Sequence, residues 1–158
     1  MAISKEELLK EIFEAFKDVE LGNGISLHET EVLDMYGTKQ QRIDARKKDT
    51  DRHWTEVKDD WIESIDGIGG MSFFDKKGFH YYIPAYMSWY LRKGHGSNLF
   101  SAEGIFFALS RPTHWGFEFF SLNQKRVICK FLQFCVNEFH DSDAQEALHC
   151  YWYQYGDQ

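Results

Sequence analysis

The chain has 158 residues, of which 43% are hydrophobic, 17% aromatic and 27% charged, and its formal net charge is −7. That much apolar material supplies the core of one domain spanning 1–158 and excludes intrinsic disorder. The acidic balance opposes phosphate backbones and anionic lipid, so neither nucleic acid nor a membrane is expected as a partner.

Cys129, Cys135 and Cys150 form no closely spaced pair, and an odd number argues against a disulfide framework. Reduced thiols are expected. The start, Met1-Ala-Ile-Ser-Lys-Glu-Glu7, has no basic region leading into an apolar run, and is not read as a signal peptide. No apolar stretch approaches the ~20 residues that span a bilayer. A cytoplasmic location is the expectation.

In chain order, Ser4 with Glu7 at the third helical position reads as a capping box. Leu8, Ile12, Phe13, Phe16 and Val19 then recur at helical spacing until Gly22-Asn-Gly24. Ser26 with Glu29 and Thr38 with Gln41 repeat the device for a second and a third helix. The third is polar, anchored by Ile43 and Ala45. Asp49 to Lys58 reads as a connection plugged by Trp54, and Asp59 or Asp60 caps a short helix.

Gly78-Phe-His-Tyr-Tyr-Ile-Pro-Ala-Tyr-Met-Ser-Trp-Tyr-Leu91 is the densest aromatic stretch. Met71–Phe74, the turn Asp75-Lys-Lys-Gly78 and Phe79–Ile83 give a β-hairpin signal. Pro84 then suits the first turn of a helix to about Arg92 that is apolar nearly all round. Gly104–Leu109 and Trp115–Phe120 look like two more extended segments. Ser121 with Gln124 caps the longest helix, and a last helix covers about Ser142 to Tyr153. The expected fold is α+β and predominantly helical: about five to six helices around a small antiparallel β-hairpin or short sheet.

Chemistry is less legible. His28, Glu31 and Asp34 stand three residues apart on one helix and could converge as a hard-metal or general-base site. Glu29 is already explained as a capping-box residue, and Glu31 and Asp34 also fit a solvated face. There is no HExxH, P-loop, GxGxxG or GxSxG motif, and no zinc spacing among the His and Cys residues. No metal and no cofactor is expected. The basic run Lys39, Arg42, Arg46, Lys47, Lys48 and Arg52 is diluted by Asp44, Asp49 and Asp51, and reads as a solvated face.

Ile3-Ser-Lys-Glu-Glu-Leu8, Gly24-Ile-Ser-Leu-His-Glu29, Asp34-Met-Tyr-Gly37, Asp44-Ala-Arg46, Trp54, Phe74-Asp75, Gly78-Phe79, Ile83-Pro-Ala-Tyr-Met87 and Phe120-Ser-Leu122 together resemble the bacterial domain-of-unknown-function family 6714. The resemblance spans most of the chain. It implies a small bacterial cytosolic protein and carries no activity or catalytic residue to transfer.

Size, acidity and the lack of a catalytic motif lead to one functional expectation. This is a non-catalytic protein-binding domain, such as an immunity or antitoxin-like protein that neutralises a basic toxin or effector. The candidate contacts are Glu29, Glu31, Asp34, Trp54 and Tyr86. The alternative is a hydrolase or metal-dependent enzyme using His28, Glu31 and Asp34.

Overall fold

The structure is a computed structural model that describes residues 2–156. The described residues form α1 (Lys5–Phe16), α2 (Leu27–Asp34), α3 (Lys39–Arg46), α4 (Asp59–Ser64), α5 (Lys76–Trp89), α6 (Phe100–Leu109), α7 (Pro112–Trp115), α8 (Leu122–Phe139) and α9 (Ser142–Cys150). No strand occurs among them, so the α+β expectation is corrected to an all-helical fold.

The hairpin fails at Asp75. Its Oδ1 accepts the Gly78 N–H at 2.8 Å, which makes Asp75 the N-cap of α5 rather than a turn residue. A Cβ at Gly78 would come within 2.5 Å of the Ile25 carbonyl oxygen, so this glycine serves a close approach, not a left-handed turn. From Gly78 to Met87 every residue but His80 is buried. Burial on all sides produces a continuous aromatic run, and such a run carries no period by which strand and helix can be told apart. Pro84 lies inside α5 rather than in its first turn. It removes one backbone bond, and the buried neighbours hold the helix across that gap. The helix then widens into a π-turn over Tyr90–Gly94, closed by the His95 N–H donating to the Tyr90 carbonyl at 3.0 Å.

The other two expected extended segments are also helical. Gly104–Leu109 belongs to α6, and Trp115–Phe120 covers the end of α7 and a 3₁₀ turn, Phe117–Phe119. The capping signals fared better. The Ser4 Oγ accepts the Glu7 N–H, Thr38 and Gln41 cap each other, and so do Ser121 and Gln124.

The core is built around α5, which packs on α1 and α6, while α8 lies between α1 and α9 and α9 returns onto α6. Three buried tryptophans find acceptors, while the Trp115 Nε1–H has none among the described residues. The Nε1–H of Trp54 donates to the Phe16 carbonyl, that of Trp152 to the Leu109 carbonyl, and that of Trp89 to Glu63. No helix among the described residues is long and apolar enough to cross a membrane.

Candidate functional site

The second capping box places Glu29 at a buried junction. Its carboxylate accepts the Ser26 N–H at 3.0 Å and pairs with Arg46 at 2.6 Å and Arg42 at 3.3 Å. Arg46 also donates to the carbonyls of Gly22 and Gly24. Burial pushes the Glu29 carboxyl up, but the Ser26 amide and the Arg46 guanidinium outweigh it and hold the group below the usual carboxylate range.

His28 is held by a residue that spacing along α2 does not reveal. Its Nδ1 lies 2.6 Å from Asp49 Oδ1, and its backbone N–H donates to Asp49 Oδ2 at 2.9 Å. The ring stands edge-on to Trp61, with centroids 5.4 Å apart. Tyr82 accepts the preceding N–H, that of Leu27, through its hydroxyl oxygen at 3.1 Å. Asp49 and Tyr82 thus satisfy two of the first-turn donors of α2. Beside them Tyr81 donates to Asp51 at 2.6 Å, and burial pushes both the Asp51 carboxyl and the Tyr81 hydroxyl up.

Asp34 accepts the Gly69 N–H at 2.8 Å, and Glu31 is half-buried against the same glycine. His28 and Asp34 therefore turn to different partners. Among the described residues no group of three His, Cys, Asp or Glu side chains is placed to hold a metal ion. Trp54 is buried under α1, and Tyr86 is fully buried. The Tyr86 hydroxyl lacks a hydrogen-bond partner among the described residues, and burial pushes it up. Of the candidate contacts, only Glu31 and Asp34 reach the surface to any extent.

The exposed chemistry lies elsewhere, on α6 and α9. Phe100 is 64% and Phe107 57% exposed, and Glu103 stands between them on the same face of α6. Asp143, Glu146 and Cys150 recur on the facing side of α9 at spacings of three and four residues. Together they wall a groove of about 690 Å³ that Gly104 and Phe106 also line. Glu103, Asp143 and Glu146 are all exposed, and none is ion-paired among the described residues. Arg111, the one cation among the described lining residues, lies over the Phe107 ring at 5.1 Å.

The face continues toward α2. A Cβ on Gly67 would touch the Phe100 ring at 3.6 Å, and one on Gly69 would collide with the Glu31 backbone at 2.7 Å. Exposed Ile68 lies between these two glycines. Sequence reasoning missed Phe100, Glu103 and Phe107 because Gly104 and the paired Phe106-Phe107 were read as strand. Their helical spacing of three and four was the available signal.

Comparison with known families matches residues 4–156 to a family of unknown function, DUF6714. The chain belongs to DUF6714. No curated protein and no solved structure matches it. The DUF6714 match covers the nine α-helices of the described residues, including the α6–α9 groove and the buried junction at Glu29.

Proposed function

We propose that this DUF6714 member is a non-catalytic protein-binding domain whose partner is basic. The observation that carries this reading is the exposed α6–α9 groove, where Phe100 and Phe107 of α6 stand among three carboxylates without an ion pair among the described residues. Exposed rings supply the desolvation that anchors an interface. Unpaired carboxylates steer a cationic partner and select against anionic ones. The net charge of −7 extends the same bias over the molecule.

An immunity or antitoxin-like role in the cytoplasm is the finer form of this reading: a small acidic domain covering a basic toxin or effector. The test is recovery of a partner from the native host with wild-type and Phe100→Ser/Phe107→Ser baits. A stoichiometric basic protein is expected with the wild type and is depleted with the double variant. Recovery of no stoichiometric protein by the wild-type bait overturns the reading.

A second reading keeps acid–base chemistry at His28. It is favoured by the Asp49 contact to Nδ1, which orients the ring and leaves Nε2 as its remaining nitrogen. Its side chain is 13% exposed, so a substrate would have to reach a nearly covered atom. A hydrolase screen against generic ester and phosphoester substrates, lost in His28→Gln, tests it. A flat response from the wild type rejects it.

A further inference from the structure

We infer that the α6–α9 groove receives an amphipathic helix of the partner, apolar along one ridge and lysine- or arginine-rich on both flanks. This rests on the protein-binding reading and goes on to specify the occupant. The walls are two helices in contact along their sides. Phe100 and Phe107 are seven residues apart on α6, which puts them on the same face about 10 Å apart along the axis. A partner helix laid alongside presents apolar residues at i, i+3 or i+4, and i+7 over the same length.

Charge decides the flanks. Glu103 lines one bank and Asp143 and Glu146 the other, so both sides of an incoming helix face carboxylates. None of the three has an ionic partner among the described residues, and their combined field opposes an anionic membrane as occupant.

Gly104 offers a position at which to test the groove. A glycine within a helix costs about 1 kcal/mol relative to alanine. Nothing in the packing demands it, since a Cβ there would sit 3.6 Å from the Met71 Cβ, an ordinary contact. Gly104 lines the groove on the side toward Met71, so a bulky side chain there narrows it.

The test uses a synthetic helix carrying leucines at i, i+4 and i+7 with lysines on both flanks, titrated into the whole protein by fluorescence anisotropy. A matched peptide with glutamates for lysines is the control. The lysine peptide is expected to bind, and at least about tenfold more tightly than the glutamate peptide. Its affinity falls as salt shortens the screening length from about 10 Å to about 3 Å. Gly104→Leu weakens it by at least about tenfold with an unchanged circular dichroism spectrum. Should Gly104→Leu fail to fold, Glu103→Gln/Glu146→Gln, both exposed, must give the same direction.

Absence of binding by the lysine peptide overturns the inference. Equal binding of both peptides overturns the flank assignment. So does concentration-dependent dimerisation abolished by Gly104→Leu, because the occupant would then be a second copy offering its basic α3, where Ile43 is exposed. A native partner recovered equally by wild-type and Gly104→Leu baits refutes the groove while leaving the protein-binding reading intact.

Discussion

Glu29 holds together a junction that three separate segments enter. Its carboxylate meets Ser26, Arg42 and Arg46, and Arg46 ties down the chain at Gly22 and Gly24. Glutamine in its place can still accept the Ser26 N–H, as Gln41 and Gln124 do for their own caps, but removes the charge that two guanidiniums share. Glu29→Gln is expected to cost about 2–3 kcal/mol in urea denaturation. Its carboxyl is held below the usual range, so its contribution is full above the unfolded value near pH ~4.3 and disappears as pH falls through the lower folded value. Wild type should lose stability there, and Glu29→Gln should show a shallower acid limb.

His80 works in the opposite chemical sense. Its ring stacks on Phe120 at 3.9 Å, and Nε2–H donates to the Trp115 carbonyl at 3.0 Å. Burial depresses its pKa, with Lys76 adding to that effect and Glu118 opposing it. The unfolded chain takes up a proton near pH ~6.5 that the fold refuses, so stability falls below that pH. Denaturation midpoints measured from pH 7 to pH 5 should decline less steeply in His80→Gln. Tyr36 is simpler: it is 96% exposed and adopts φ +56°. Tyr36→Gly relieves a left-handed non-glycine residue and should stabilise by about 1 kcal/mol in the same assay.

At the level of elements, Asp75 is the decisive residue. Its Oδ1 accepts from Gly78 in the first turn of α5 and from Ile25 ahead of α2, so one carboxylate starts the central helix and fastens a neighbouring loop. Asp75→Ala is expected to lose about 1–2 kcal/mol, read from the thermal midpoint. Asp75→Asn, which keeps an acceptor, should retain most of it. Other helix starts were legible because a capping box is local: Ser121 and Gln124 satisfy each other within one turn and need nothing from the fold. The hairpin was misread because Asp-Lys-Lys-Gly is good turn chemistry and equally good N-cap chemistry. Only the buried surroundings of α5 distinguish the two. α6 was hidden for a related reason. Gly104 and its β-prone aromatics lower local helix preference, and its packing against α9 and the Met71–Phe73 turn overrides them.

Across the whole molecule, surface chemistry and core chemistry have separated. The rings of α5 are the scaffold, whereas α6 carries two exposed rings, Phe100 and Phe107, besides those exposed elsewhere at Tyr36, Phe119 and Tyr153. Phe100→Ser/Phe107→Ser is therefore expected to leave the melting temperature within about 2 °C while lowering binding of a hydrophobic dye such as ANS. A large loss of stability would assign those rings to the core. The candidate contacts follow the same division: Tyr86 and Trp54 went inside, and Glu31 and Asp34 lie beside the Gly67–Gly70 loop that leads to Phe100. By itself the sequence determined the family, the acidic balance and the helix starts that short-range caps encode. Tertiary structure alone decided that the aromatic stretch is one buried helix, that His28 answers to Asp49, and that α6 and α9 form a groove. The reason is range. A cap is satisfied within one turn of its own helix, whereas burial on all sides and the meeting of two distant helices depend on neighbours far along the chain.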